Sequence, residues 1–432
     1  MVKFHSTKGQ ASPVSISAAI RVGQAGDGGL IMPAVFPADA NETAASDDDL
    51  PGFAAAFLAP FFQGDALEAD LPAICAEAFD ISIPVVGLGE GVSALELFHG
   101  PTGAFKDFGA RFLMACLDRL GDPAHPFTVL AATSGDTGGA AGCAAEGRSG
   151  VRAVILYPDG KVSPFQAHQL SCWDAPVTTL KLAADFDACQ RLVKAAFSDA
   201  ALVARHRLTS ANSINIARLL PQAAYIAFAA RRAAADGDAA PGFSMPTGNL
   251  GHGVAALMAR ACGAPIGPVI LATNANATLS DWARSGRYEP RASIATLANA
   301  MDVGAPSNFE RLESGAFDLS GMIVERVDDA AIRTRIKADH ERFDYVWCPH
   351  SACAAEALAR QPERVVRERP WLVAATAHPY KFADVVEPVT GERIPPPPAL
   401  ASVLDRPARA QSCDPDLPAL ADHLDHLESE YA

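Results

Sequence analysis

The feature that most constrains the fold is a repeated alternation of short apolar segments with helical patterns, separated by turns rich in Gly, Ser, Thr and Asn. The apolar segments are residues 127–133, 151–158, 176–182, 243–247, 268–274, 343–350 and 370–379. Parallel strands need a long crossover between them, and a helix usually supplies it. The alternation therefore predicts parallel βαβ units and an α/β fold.

The length of the chain suggests more than one domain. Its 432 residues exceed the usual size of a single hydrophobic core. We predict an N-terminal extension over residues 1–92, a first open-sheet α/β domain over 93–240 and a second over 241–432. A helix is expected to begin near the acidic segment 47–49. Whether the extension is a separate domain or a strap on the core stays open.

Charge and cysteine content exclude several classes of protein. The formal net charge of −15 disfavours nucleic acid as a partner. The nine cysteines are an odd number without a C-x-x-C pair, which favours a reducing, cytoplasmic location over a disulfide framework. The longest apolar stretch, 53–62, is too short to span a membrane. Cys348, His350 and Cys353 are read as an incidental cluster, so no metal site is predicted.

One lysine has unusual surroundings for a charged side chain. Lys106 follows a Gly-Pro-Thr-Gly turn and has Phe105 and Phe108 nearby, with Asp107 next in the chain. Loss of hydration near aromatic rings lowers the pKa of an amine and makes it a better nucleophile. Such an amine can form a Schiff base with an aldehyde. Taken alone, Lys106 is also compatible with a structural lysine whose stem lies on apolar surface.

A glycine-rich loop offers a second element of a site. The segment TGNLGHGVAAL, residues 247–257, joins a predicted strand to a predicted helix. Backbone N–H groups and the helix N-terminus can together hold a phosphate there. The loop lacks the Gly-Lys-Ser/Thr of a Walker motif and the glycine spacing and acid of a dinucleotide site. A phosphate-bearing aldehyde such as pyridoxal phosphate would use both the lysine and the loop; a plain strand–helix turn is the alternative.

Several segments then resemble one family. Residues 99–112, HGPTGAFKDFGARF, are similar to the sequence around the cofactor lysine of threonine synthases, a branch of the fold type II pyridoxal phosphate enzymes. Further segments resemble that family in its order, over roughly residues 4–382. They are ATSGDTGGAA (132–141), NSINIARLLPQ (212–222), PTGNLGHG (246–253), MDVGAPSNFERL (301–312), PHSACA (349–354) and ATAHPYKF (375–382). The resemblance implies a fold of the tryptophan synthase β-like kind.

The resemblance also implies an activity and a cofactor site. Threonine synthases convert O-phospho-L-homoserine and water into L-threonine and phosphate. By similarity, Lys106 is the Schiff-base lysine of pyridoxal 5'-phosphate and Thr376 faces the pyridine nitrogen. The phosphate loop is expected to comprise Gly248, Asn249, Leu250, Gly251 and His252. The family usually has Gly-Asn-Phe-Gly-Asn here, so the effect of Leu250 and His252, including a possible charge on His252, stays open.

Substrate contacts follow from two further segments. The SGDTG loop resembles the one that receives the substrate, with Ser134, Asp136 and Thr137 as contacts and Asp136 also assigned to cofactor binding. The NSINIAR segment resembles a substrate-phosphate site, from which we expect Ser213, Asn215 and Arg218 to contact substrate. Arg218 on an amphipathic surface helix is the alternative. Two other charged sites receive structural interpretations: Glu310 and Arg311 as a cap or ion pair, and Lys381 as a surface or outer charge.

Three other functions remain to be distinguished. A related pyridoxal-phosphate-dependent phospho-lyase, or a serine or threonine dehydratase, would use the same fold, but a dehydratase needs no second anion site. A cofactor-free binding protein would not need Lys106. A nicotinamide dehydrogenase is disfavoured by the missing acid. The expected partner is a small-molecule substrate, without nucleic acid or membrane, and the oligomeric state (monomer or homodimer) is open.

Overall fold

The computed structural model describes residues 2–44, 49–133, 135–235 and 239–431. The strands are β1 Phe4–Ser6, β2 Ile31–Pro33, β3 Val85–Gly87, β4 Val92–Glu96, β5 Phe127–Ala132, β6 Val151–Pro158, β7 Val177–Leu182, β8 Leu208–Ser210, β9 Gly242–Pro246, β10 Val269–Thr273, β11 Met322–Arg326, β12 Trp371–Ala375 and β13 Ala410–Cys413.

Most of the α-helices lie between these strands, and several of them connect parallel strands. The α-helices are α1 Ile16–Val22, α2 Ala40–Thr43, α3 Leu50–Phe62, α4 Leu71–Ala78, α5 Lys106–Leu120, α6 Asp136–Ala145, α7 Pro164–Ser171, α8 Phe186–Ser198, α9 Ala200–His206, α10 Leu220–Ala235, α11 Gly251–Ala261, α12 Thr278–Ser285, α13 Phe309–Glu313, α14 Asp329–Phe343, α15 Pro349–Ala359, α16 Glu363–Arg367, α17 Ala383–Thr390, α18 Pro398–Leu404 and α19 Leu417–Tyr431.

The strands form two open sheets and a small hairpin-like pair, which confirms the predicted α/β fold. One sheet has the order β11-β10-β9-β12-β4-β3 and is parallel except for the antiparallel edge strand β3. The other has the order β13-β7-β6-β5-β8 and is parallel throughout. Strands β1 and β2 pair with each other.

Several predicted site segments follow the carboxyl ends of neighbouring strands in the larger sheet. Trp371 of β12 pairs in register with Val92 of β4 and with Gly242 of β9, and all three strands run in the same direction. The segments that follow their carboxyl ends therefore emerge side by side. In open α/β sheets this edge is where ligands bind. The lysine turn, the glycine loop and the segment containing Thr376 all lie there.

The two sheets cross the predicted domain borders. Strand β4 begins at the first border but joins the sheet of the second predicted domain, and β13 pairs with β7 in the sheet of the first. The domain borders at residues 92 and 240 therefore stay a prediction. The strand pairing divides the chain differently. Strand β4, at the start of the first predicted domain, belongs to the sheet of the second, and β13, near the end of the second, belongs to the sheet of the first.

The N-terminal region shares a core with the rest of the chain. Phe53 of α3 lies edge-on to Phe228 of α10, with ring centroids 5.3 Å apart, and Phe62 lies edge-on to Phe112 of α5. Asp49 caps α3 by accepting from the Gly52 N–H at 2.7 Å, which confirms the predicted helix start. Residues 45–48, including part of that acidic segment, lie outside the described residues. The extension packs as a strap on the core.

One predicted strand is wrong. Residues 343–350 run from the end of α14 through an extended segment into α15, without a strand partner in the described chain. Tyr345 and Trp347 are buried, and the Trp347 indole donates to the Asp339 carboxylate at 2.8 Å. Their apolar pattern comes from packing against helices and the sheet face, and pattern alone does not separate this from a buried strand.

Across the described ranges, no helix is both long and apolar enough to cross a membrane.

Candidate active site

The turn before Lys106 is held by a buried carboxylate. Asp107 accepts hydrogen bonds from the Thr102 backbone N–H at 2.9 Å and from its hydroxyl at 2.6 Å. Both residues are fully buried. Gly103 has φ +67°, the left-handed region that favours glycine. These contacts fix the direction in which α5 begins, and hence the position of Lys106.

The lysine turn is also hydrogen-bonded to the segment after β12. The Phe105 N–H donates to the Thr376 carbonyl, and the His378 N–H donates to the Gly103 carbonyl, each at 2.9 Å. The Thr376 N–H donates in turn to the Ser351 hydroxyl at 2.9 Å. The structure therefore brings Lys106 and Thr376 together. Ser351 was not predicted as a site residue, although it lies in one of the segments that resemble the family.

The Lys106 amine lies near one aromatic ring and one carboxylate. Its Nζ is 4.9 Å from the Phe105 ring centroid and 3.3 Å from Asp136 Oδ2, and only 18% of the side chain is exposed. Phe108 turns away into the core against Tyr225. Burial lowers the pKa of Lys106; Asp136 opposes this shift, and the nearby Lys381 ammonium adds to it. The amine is thus easier to deprotonate than an exposed lysine.

Asp136, the first residue of α6, lies between two lysines. Lys381 Nζ is 2.8 Å from Asp136 Oδ1, and the Lys381 side chain is fully buried. Of its two interpretations, burial excludes the surface charge and agrees with the charge placed just outside the site. Burial alone would raise the pKa of Asp136, but the ion pairs with Lys381 and Lys106 outweigh it and hold that pKa below its usual range. Asp136 therefore stays a carboxylate in the site.

The glycine loop forms a narrow backbone cradle. Leu250 is buried with φ +65°, and α11 begins at the next residue, Gly251. A Cβ on Gly248 would lie 2.7 Å from Met301 Cα, and one on Gly251 would lie 3.1 Å from Ser213 Cβ. The approach at Gly248 leaves no room for a side chain, and the one at Gly251 is tighter than an ordinary contact. The loop, followed by the N-terminus of an eleven-residue helix, suits a phosphate group.

His252 does not add charge to this loop. Its ring stacks on Phe105 with centroids 4.8 Å apart, and its Nε2 lies 2.9 Å from the Tyr225 hydroxyl. Burial, together with the Lys106 ammonium, lowers the pKa of His252 to about 3. The imidazole is therefore neutral at physiological pH. Its Nδ1 has no hydrogen-bond partner among the described residues and is available to a ligand.

Three segments meet through the amides beside the cradle. The Asn249 and Asn308 side chains each donate to the Ser213 hydroxyl at 2.9 Å. Asn308 Nδ2 also donates to the Asn249 carbonyl at 2.9 Å. The structure thus brings the predicted residues Ser213 and Asn249 together. Asn308 was missed, although it belongs to the segment 301–312.

Arg311 holds the same segments, although from the sequence it received only a structural interpretation as a cap or ion pair. It is fully buried and donates to the carbonyls of Ser213, Ile214 and Ile31 at 3.0, 2.6 and 3.1 Å, and to the Asn308 side chain. Burial lowers the pKa of Arg311 to about 9. Its partner is not Glu310, which instead contacts Thr7. The available signal was an Asn and an Arg three residues apart in a segment that resembles the family.

Asn215 and Arg218 lie at the two ends of a short 3-10 helix, Ile216–Arg218. Asn215 caps it by accepting from the Ala217 N–H, and its amide donates to the Ile20 carbonyl at 3.0 Å. These bonds use Asn215 for structure, so its substrate contact stays a prediction. Arg218 is buried, which excludes the surface-helix alternative, and its Nε has no partner among the described residues. Burial lowers the pKa of Arg218 to about 10, although the nearby Asp107 carboxylate acts to raise it.

Of the two remaining predicted residues, the structure describes one. Thr137 is half-buried in its first turn, next to Asp136. Ser134 lies outside the described residues. No group of three or more His, Cys, Asp or Glu side chains that could hold a metal ion occurs in the described part of the chain.

The residues present fit pyridoxal phosphate. Lys106 supplies a largely buried amine for its aldehyde, and the loop 248–252 supplies backbone N–H groups at a helix N-terminus for its phosphate. Thr376 is buried, with its hydroxyl 3.4 Å from that of Ser351. A hydroxyl facing the ring nitrogen, which the resemblance assigns to Thr376, would leave that nitrogen unprotonated.

Three family models match the chain. The model described as pyridoxal-phosphate dependent enzyme matches residues 86–376. Those described as the threonine synthase N terminus and the threonine synthase C-terminal region match residues 3–79 and 351–424.

Whole-chain similarity extends to named proteins. The threonine synthase of Haemophilus influenzae is 36% identical over 428 residues, which cover 98% of this chain and 99% of the relative. The crystal structure of threonine synthase from Escherichia coli has a TM-score of 0.88 at 36% identity, covering 98% and 99% of the two chains. A pyridoxal-phosphate-bound threonine synthase structure from Brucella melitensis has a TM-score of 0.91 at 31% identity, covering 99% and 100%.

Proposed function

The chain belongs to the threonine synthase family of pyridoxal-phosphate-dependent enzymes, and from this premise we propose that it converts O-phospho-L-homoserine and water into L-threonine and phosphate. It is a pyridoxal-phosphate-dependent lyase of threonine biosynthesis. In the proposed reaction the carbon–oxygen bond at the γ carbon breaks and phosphate leaves. The β carbon loses one proton and takes the hydroxyl of water, and the γ carbon gains one proton.

Lys106 is the proposed cofactor-holding and proton-transferring group. When bound, pyridoxal phosphate supplies an aldehyde for an amine and a ring that withdraws electrons from the neighbouring carbon. The uncharged Lys106 Nζ can take a proton from the substrate Cα and return one at an adjacent carbon. Burial supports this role because it favours the uncharged amine. Asp136, 3.3 Å away, keeps the amine oriented.

The observation that carries the choice of substrate is the buried guanidinium of Arg218. A Cβ on Gly109, one turn after Lys106 in α5, would lie 2.7 Å from Arg218 Nε. Arg218 is thus close to the lysine helix, and its Nε lacks a partner in the described residues. A buried cation with an unused donor suits a second phosphate. A serine or threonine dehydratase would have no use for it.

A spectrum with product analysis tests the proposed function. The purified protein is expected to show a visible cofactor band that shifts on addition of O-phospho-L-homoserine, with equal release of phosphate and threonine. L-Serine and L-threonine serve as control substrates. A shift with 2-oxo acid formation from the controls, and no phosphate release, would instead identify a dehydratase. Absence of the band after supply of cofactor would remove the proposed role of Lys106.

Replacing Arg218 is expected to weaken the phosphate site selectively. Arg218→Met removes charge-assisted hydrogen bonds worth about 1.5–3 kcal/mol, so kcat/KM for the phosphorylated substrate should fall roughly tenfold to a hundredfold. Inhibition by inorganic phosphate should weaken in parallel. Arg191→Met, at a side chain 70% exposed on α8, is the matched control. A variant with a lower melting temperature but unchanged phosphate inhibition would mean that Arg218 serves only the fold.

Two further expectations stay proposals. All nine cysteines are free thiols, which supports a reducing, cytoplasmic location. The proposed partner is the small-molecule substrate alone, and the choice between monomer and homodimer stays open.

A further inference from the structure

A second buried lysine lies beside the site and has no place in the reaction described so far. Lys381 is in the short 3-10 helix Pro379–Phe382, which follows β12 and Thr376. Its Nζ lies 2.7 Å from the Thr102 carbonyl, 2.8 Å from Gln169 Oε1 and 2.8 Å from Asp136 Oδ1. An ammonium has three N–H donors, and each has an oxygen within reach.

These contacts join four segments around the lysine turn. Gln169 of α7 accepts from Lys381 and donates from its Nε2 to the Thr102 carbonyl at 3.0 Å. Thr102 also binds Asp107 through its N–H and its hydroxyl. The turn before Lys106, the start of α6, α7 and the segment after β12 are thereby tied to one ammonium. A shift of Lys381 would move both Thr102 and Asp136.

Because of Lys381, positive groups outnumber the carboxylates that are free to contact the Lys106 amine. The single carboxylate of Asp136 contacts Lys381 at 2.8 Å and Lys106 at only 3.3 Å. Arg218 adds a third positive charge near Lys106. His350, on α15, is also near; burial lowers its pKa to about 4, so it adds none at physiological pH. Asp107 is the other carboxylate close by, and both of its oxygens accept hydrogen bonds from Thr102.

We propose that Lys381 is a positioning residue that holds the Asp136 carboxylate and the Thr102 carbonyl, and thereby keeps the Lys106 amine in its uncharged, reactive form. The proposal rests on the proposed role of Lys106 as the cofactor-holding amine. With Lys381 in place, Asp136 is shared and the nearest ammonium repels a proton on Lys106. Without it, the carboxylate would belong to Lys106 alone and stabilise the ammonium form.

The proposal fixes the direction of two opposite changes. Lys381→Gln removes a positive charge and frees Asp136, so Lys106 should gain its proton more readily and titrate at higher pH. Asp136→Asn leaves Lys106 facing two cations, so it should titrate at lower pH. The double variant should lie between them. A purely structural role for Lys381 predicts lower stability without these opposed shifts.

The test measures the pH midpoint of Lys106 in two ways. One is the pH titration of the visible cofactor band of the holoenzyme. The other is the rate at which acetic anhydride labels Lys106 in the full-length protein after cofactor removal, followed by mass spectrometry of its peptide. We expect Lys381→Gln to raise both midpoints by about one pH unit or more. Lys337→Gln, at an exposed lysine of α14, is the control and should change neither.

The outcomes separate this proposal from the proposed function. Unchanged midpoints in a folded Lys381→Gln protein would overturn the role of Lys381 while leaving that of Lys106 intact. Absence of the visible band in the unmodified protein would count against the proposed function, and the labelling midpoint would still test Lys381. If Lys381→Gln does not fold, Asp136→Asn is compared with the double variant. Adding Lys381→Gln must then raise the labelling midpoint, and an unchanged value overturns the proposal.

Discussion

Replacing Lys106 by alanine is expected to abolish the visible cofactor band and to lower kcat by at least about 10³-fold. The physical reason is that the variant lacks the amine placed 3.3 Å from Asp136 at the start of α5. Lys381, the other buried lysine, is held by three oxygens and cannot replace it. The measurements are the absorption spectrum with added cofactor and the rate of phosphate release.

The Lys106→Ala protein should remain folded, which makes the result interpretable. Asp136 keeps its ion pair with Lys381, so no buried carboxylate is left without a cation. Added methylamine should restore part of the activity because it can replace the missing amine. Lys337→Ala, on the surface of α14, is the control for loss of a lysine charge. Retention of more than about a tenth of the activity in Lys106→Ala would contradict the assignment.

Replacing Arg311 by methionine is expected to produce the largest loss of stability, about 3–5 kcal/mol in the free energy of unfolding. Methionine fills similar space but cannot donate. The carbonyls of Ser213, Ile214 and Ile31 would then each lose a partner in a buried setting. Urea unfolding followed by tryptophan fluorescence measures the effect.

The same variant should also disturb the site. Arg311 holds Ser213 and Asn308, whose side chains meet the Asn249 amide and carbonyl beside the glycine loop. We therefore expect weaker retention of cofactor in Arg311→Met, measured by dialysis and absorbance. Arg333→Met, at an exposed position of α14, should cost less than about 0.5 kcal/mol. A loss of under 1 kcal/mol for Arg311→Met would show that these carbonyls find other partners.

Local sequence predicted the elements well where pattern and turn chemistry agree. Strands β5, β6, β10 and β12 fall within their predicted segments, because each is a short apolar run bounded by turn residues. The run at 343–350 has the same composition but lacks strand neighbours, and its aromatic residues pack against helices instead. A pattern of apolar residues indicates that a segment is buried. Whether the segment pairs as a β-strand depends on which other segments lie beside it in the fold.

Candidate site residues could be proposed from the sequence where a motif fixes their place on the backbone. Lys106 and the loop 248–252 stand out because an amine among aromatics and a glycine-rich helix start each imply a chemistry. Asn215 shows the limit of that reasoning, since its side chain caps a helix and binds Ile20. Lys381 and Arg311 were read as ordinary charges because a single lysine or arginine has no local signature of burial.

The sequence by itself determined the fold class and the family segments and marked Lys106 as the candidate lysine, because these depend on order along the chain and on local backbone chemistry. Tertiary structure alone decided how the sheets exchange β4 and β13, that Lys381 shares Asp136 with Lys106, and that His252 is neutral. Each of these depends on groups far apart in sequence. Charge state and ion pairing follow from distance and desolvation, and only the folded chain fixes both.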